Sequence, residues 1–96
     1  MNLIVTDQAK KDLGRLDKPM QKRIIQALDL LISRPKAADL KKLQGHQDLW
    51  RLRVGDFRIV LQIISREVSD DELKNRKEIT VYALRVMHRR EVYRQL

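Results

Sequence analysis

The sequence predicts an α+β fold, with an N-terminal strand and a helical hairpin packed on one face of a small antiparallel sheet. The order is β-α-α-β-β-β, closed by a short C-terminal helix or tail. Three observations predict it. Between Met20 and Ile32 apolar residues recur every three or four positions, which gives a helix one face to bury. In Leu49-Trp50-Arg51-Leu52-Arg53-Val54 apolar and charged residues alternate, which gives a strand one dry side and one wet side. The strands that follow are consecutive and joined by reversals, so they form an antiparallel sheet with the helices on one face.

Each element has a local cause. Leu3-Ile4-Val5 is short, apolar and β-prone, and predicts the first strand. Thr6 or Asp7 then caps a helix by accepting from a free backbone N–H. Ala9, Leu13 and Leu16 give that helix a thin apolar stripe, and Gly14 weakens it by about 1 kcal/mol relative to alanine. Asp17 caps a second helix, with Pro19 in the first turn, where its missing N–H costs little. Met20, Ile24, Ala27, Leu28 and Leu31 make its buried face, widened by Ile25 and Ile32. The helix ends at Arg34, because a residue before proline is pushed out of helical geometry. So few residues join the two helices that they predict an antiparallel hairpin.

Residues 35–48 read as a connector with a short helical turn, pinned by Leu40 and Leu43. Trp50, Leu52 and Val54 then point to the core, and Arg51 and Arg53 point away. Gly55-Asp56 reverses the chain. Phe57, Ile59, Leu61 and Ile63 share the core face of the returning strand, with Arg58 on the opposite face. Residues 65–77 read as a charged, irregular turn, and residues 78–86 as the last strand. From His88 the strand ends in a turn or short helix. Trp50 and Tyr82 are assigned to the core.

Ninety-six residues make a single domain spanning 1–96. The apolar share of 43% suits a globular chain. Without cysteine there is no disulfide and no thiolate metal site, which fits a reducing compartment. No apolar run approaches the ~18–20 residues of a membrane span, and the N-terminus has no signal layout. The expectation is a soluble cytoplasmic protein with no membrane partner. The acidic residues lack metal-ligand spacing, so neither metal nor other cofactor is expected.

The formal charge is +8. An excess of this size attracts polyanions, nucleic acid first among them. Nine of the twelve arginines lie from Arg51 onward, while seven of the nine lysines lie before residue 43. Arginine offers a planar fork that matches phosphate oxygens, so the second half looks built for phosphate contact. Arg51 and Arg53 project from one side of a strand, about 7 Å apart. Arg58 reaches the same side across the hairpin. Like charges on facing strands repel, which argues against a merely solvated face. If the last strand pairs beside the second, Arg85, His88 and Arg89 emerge near Arg58, with Arg90 and Arg94 adding charge and Tyr93 able to stack on a base.

The stretches "LWRLRVGDFRIV" and "HRREVY", taken together, resemble the RelE/ParE superfamily of bacterial and archaeal toxins, and the RelE branch in particular. The resemblance covers essentially the whole chain. It implies a ribosome-dependent endoribonuclease that cuts messenger RNA, partnered by a cognate antitoxin in a toxin–antitoxin heterotetramer. It places the family's paired basic residues on Arg51 and Arg53, its arginines on Arg58 and Arg89, and its C-terminal tyrosine on Tyr93. The chain departs from the family in three ways. Some members carry lysine at 51 and 53, many carry glycine at 87 where Met87 stands, and the turn at 65–78 is longer.

For such a reaction the 2′-hydroxyl beside the scissile phosphate attacks phosphorus. Arg51, Arg53, Arg58 and Arg89 stabilise charge, the largest contribution in many such sites. Guanidinium groups do not serve as bases. Tyr93 is therefore the favoured base, with His88 or a guanidinium helping the leaving 5′-oxygen. Arg85, Arg90 and Arg94 are expected to bind RNA. Two other readings exist, a ParE-like inhibitor of DNA gyrase and a non-catalytic nucleic-acid-binding module.

Overall fold

The structure is a computed structural model. It describes residues 1–69 and 75–95, and for residues 69, 75 and 93–95 the backbone alone. Along the chain run β1 (Asn2–Val5), α1 (Asp7–Gly14), α2 (Lys18–Ser33), a single 3-10 turn (Pro35–Ala37), β2 (Leu40–Lys42), β3 (Leu49–Val54), β4 (Phe57–Ser69), β5 (Asn75–His88) and α3 (Arg89–Gln95). This is the α+β arrangement that the periodicity predicts.

The helices begin where the caps place them. Thr6 Oγ1 accepts from the Ala9 N–H at 3.2 Å, and Asp17 Oδ1 accepts from the Met20 N–H at 2.9 Å. Each bond satisfies a donor that the first helical turn leaves free, which stabilises the helix by about 1 kcal/mol. Gln21 Nε2 donates to the Leu13 and Leu16 carbonyls, tying the start of α2 to the end of α1. Ile24, Leu28 and Leu31 of α2 are buried against Leu52, Ile59, Leu61 and Val81 of the sheet. That layer is the main core.

The sheet has the order β1-β5-β4-β3-β2. Only its last four strands are antiparallel. β1 runs parallel to β5, from Asn2 opposite Thr80 to Val5 opposite Ala83, so the sheet is mixed. The connector also contributes more than a helical turn. Leu40–Lys42 pairs with Trp50–Leu52 as a fifth strand, and Leu40 packs on the core.

Two further expectations need correction. The segment read as an irregular turn continues both strands, through Arg66 opposite Glu78 and Val68 opposite Arg76. Opposite charges across the ladder, with Arg66 Nη2 at 3.2 Å from Glu78 Oε2, stand in for apolar alternation there. Residues 70–74 lie outside the described residues. Tyr82, expected in the core, lies between Val81 and Ala83, which are buried under the helices. Alternation therefore turns Tyr82 to the outer face.

That outer face is not left bare. Val92 of α3 is buried against Val60 and Met87, with Leu43 and Leu84 at the edge of this second, smaller cluster. A register shift at Val60/Leu61 makes it fit: Val60 faces Arg85 and Leu61 faces Ala83, leaving Leu84 as the extra residue of a β-bulge. Leu84 joins the outer cluster while Ala83 and Val86 both stay in the main core.

Candidate functional site

The basic residues gather where the β3–β4 hairpin meets the end of β5. Val54 faces Phe57 across the reversal, and Gly55 takes φ +58°, a conformation glycine adopts without strain. A Cβ on Gly55 would also sit 3.2 Å from Nη2 of Arg23, so the α2 arginine lies against the hairpin tip. On the next pair, Arg53 stands directly opposite Arg58. Arg58 in turn faces Met87, and Phe57 faces His88. The register thus puts Arg53, Arg58 and His88 at one end of the sheet, drawn from three strands, with the two arginines on the outer face and His88 on the face it shares with Phe57.

Like charges in register cost energy unless something offsets them. Asp39, on the approach to β2, accepts from Arg53 Nε at 2.6 Å. Arg58 curls back so that Nη1 donates to the Gly55 and Phe57 carbonyls at 2.8 and 2.9 Å. Arg51 lies further along β3, opposite Val60, and its Nη1 is buried with no hydrogen-bond partner among the described residues. An unmet charged donor of this kind is costly unless a ligand supplies the acceptor.

The end of β5 closes the site from the other side. The Arg89 N–H donates to the Asp56 carbonyl at 2.8 Å, and Arg89 Nε stands 3.8 Å from Asp56 Oδ1. The His88 ring meets Phe57 edge-on at 5.5 Å between centroids. His88 Nδ1 accepts from the Arg90 N–H at 3.2 Å, which caps α3. That bond assigns the proton of the neutral imidazole to Nε2.

Arg85 lies apart from this cluster. Its Nε donates to Asp12 Oδ2 at 2.8 Å, and Asp12, 5% exposed, also receives the Val86 N–H at 2.9 Å. Burial pushes the Asp12 carboxyl up, but the bonds from Arg85, Val86 and Gln8 outweigh it and hold it below its ordinary value. The same hydrogen bond raises the Arg85 guanidinium further, against a smaller effect of burial. Arg90 is exposed at the start of α3. Tyr93 and Arg94 lie on α3, but their side chains are outside the described residues. Among the described residues, no group of His, Cys, Asp or Glu side chains could hold a metal ion, and no helix is long and apolar enough to cross a membrane.

Four residues here escaped the sequence reading. Arg23, Asp39 and Asp56 carry no local signal, since each acts through a tertiary contact. Asp12 did leave one. It falls three residues after Ala9, on the Ala9–Leu13–Leu16 stripe, where burying a carboxylate is costly unless it is bonded.

Solved structures share this architecture. The RelB–RelE antitoxin–toxin complex from Methanococcus jannaschii matches over 97% of this chain and 98% of that chain, with 24% identity and a TM-score of 0.65, a likeness of fold alone. The archaeal RelE–RelB complex from Pyrococcus horikoshii OT3 matches over 92% and 93%, with 25% identity and a TM-score of 0.61. The toxin–antitoxin complex RelBE2 from Mycobacterium tuberculosis matches over 92% and 96%, with 25% identity and a TM-score of 0.62. The fold is therefore that of the small RelE-like chains in these complexes. A search among curated proteins finds no match. The family model described as ParE toxin of type II toxin–antitoxin systems matches residues 3–93, and the chain belongs to that family, within the RelE/ParE superfamily.

Proposed function

We propose that the protein is a ribosome-dependent endoribonuclease that cuts messenger RNA. One observation carries this reading: Arg53 and Arg58 stand directly opposite each other, with Arg89 at the same hairpin end. A sheet that needed only solubility would have placed an acid in one of those positions. In the reaction the 2′-oxygen bonds to the adjacent phosphorus while the bond to the 5′-oxygen breaks. Negative charge builds on the phosphoryl oxygens, and Arg53, Arg58 and Arg89 supply donors fixed in advance. Arg51, on the same strand as Arg53, adds a further positive charge along the same face. Tyr93 is assigned as the base that takes the 2′-hydroxyl proton. His88, through Nε2–H, or a guanidinium donates a hydrogen bond to the leaving 5′-oxygen, which takes its proton from water.

A cognate antitoxin is part of the proposal, since RelE chains in the similar structures are solved with RelB. The charge of +8 suits an acidic partner segment. The ribosome, as bearer of the message, is the other partner.

A second reading is favoured by the family model itself, whose description names ParE. Such a toxin would poison DNA gyrase. Induction in cells separates the two. Mapping messenger ends by primer extension should show new ends within codons for the wild type and none for Arg58→Ala, Arg89→Ala or Tyr93→Phe. Growth arrest with cleaved DNA and intact messenger would establish the gyrase reading instead.

A further inference from the structure

Strand β5 loses its outer neighbour before it reaches the site. β1 covers its edge only as far as Ala83. Thr6 continues the cover by one step, with its N–H and Oγ1 both donating to the Ala83 carbonyl, at 3.1 and 2.9 Å. Beyond that point the Val86 N–H would be buried without a partner. Asp12 of α1 reaches in and takes it. The same carboxylate accepts from Nε and Nη2 of Arg85, at 2.8 and 3.4 Å, and from Gln8 Nε2 at 3.1 Å. Among the described residues Asp12 is the one charged side chain that is buried.

We propose that Asp12 is a positioning residue, whose carboxylate fixes the end of β5 and so sets where His88, on the Phe57 face, and Arg89, beside Asp56, stand at the hairpin end. The functional half of this proposal rests on the nuclease reading; the positional half does not. The chain of contacts is short. Val86 is two residues before His88, whose ring lies on Phe57, and three before Arg89, whose N–H is held by Asp56. The bulge at Leu84 interrupts the β4–β5 ladder immediately upstream, so the strand end has lost one of its ordinary restraints. A cleft of about 150 Å³, lined by Asp12, Arg15, Phe57, Arg85, His88 and Glu91 among others, opens at the same place. The β4–β5 ladder resumes from Val60 opposite Arg85 to Phe57 opposite His88, so β4 holds one edge of this strand end and the Asp12 carboxylate holds the other.

Asp12→Asn tests the proposal, because it keeps one acceptor and the side-chain shape but loses the charge and one oxygen. Ile24→Val serves as a control that lowers stability without touching the latch. The full chains would be made by cell-free synthesis. Two readouts are taken where every chain is folded: the ring-nitrogen resonances of His88, and single-turnover cleavage of message on programmed ribosomes. In Asp12→Asn the His88 resonances should move. The saturated rate should fall by about 100-fold, as for a misplacement on the order of 1 Å, with the half-saturating ribosome concentration unchanged. Ile24→Val should change neither. Wild-type His88 resonances and rate in Asp12→Asn would overturn the proposal, as would equal effects from Ile24→Val. If Asp12→Asn does not fold, Arg85→Gln is read in the same way. If the wild type cuts no message, the nuclease reading fails and the His88 resonances alone decide the positional claim.

Discussion

The two faces of the sheet are built on different rules. The face under α1 and α2 is uniform: Leu52, Ile59, Leu61 and Val81 are apolar and almost wholly buried. The opposite face is divided. One part is a small apolar cluster under Val92, and the other is a hairpin end carrying Arg51, Arg53 and Arg58. The first face maximises burial, which is the main source of stability. The second accepts like charges in register, which reduces stability.

The contrast can be broken by substitutions on each face. Leu31→Ala should cost about 2–5 kcal/mol in chemical denaturation, as buried leucines do, and leave cleavage per folded molecule unchanged. Arg58→Ala should do the reverse. It should lower single-turnover cleavage by about 100- to 1000-fold, the loss expected for one charge-stabilising donor, with little change in melting temperature. If Arg58→Ala unfolds the chain while sparing activity, the two faces do not divide the labour in this way.

Smaller effects sharpen the same comparison. Val92→Ala removes two methyl groups from the lesser cluster and should cost about 1–2 kcal/mol, less than Leu31→Ala, by the same denaturation curve. Acid should act through Asp12. Its folded pKa lies below the unfolded value of about 4. Its stabilising contribution is therefore complete above that value and is lost as pH falls through the lower, folded one. Asp12→Asn should flatten this acid limb of the stability curve. Smallest of all, Arg66→Ala on the exposed β4–β5 extension should change stability by no more than the ~0–1 kcal/mol of a surface pair.

Much of the fold was legible because its signals are local. The α2 stripe, the Thr6 and Asp17 caps, the Trp50–Val54 alternation and the Gly55 reversal are each decided within a few residues. The missed features are those that need a distant partner. Leu3-Ile4-Val5 says strand, but nothing in it says parallel to Thr80–Ala83. Leu40-Lys41-Lys42 is too short for a period to show. The extension beyond Ile64 alternates charges rather than apolar residues, so it reads as a turn. For the site, alternation places Arg53 opposite Arg58. It does not give the Asp39 and Asp56 partners, the bulge at Leu84, or the contact of Arg85 with Asp12 of α1.

The most direct measurement is a reaction of purified protein with ribosomes carrying a defined, end-labelled message, with Arg58→Ala alongside at equal folded concentration. The account predicts a discrete cut within a codon, leaving a 5′-hydroxyl on the downstream fragment, and no cut with Arg58→Ala. An intact message in the wild-type lane, or equal cutting in both lanes, contradicts it.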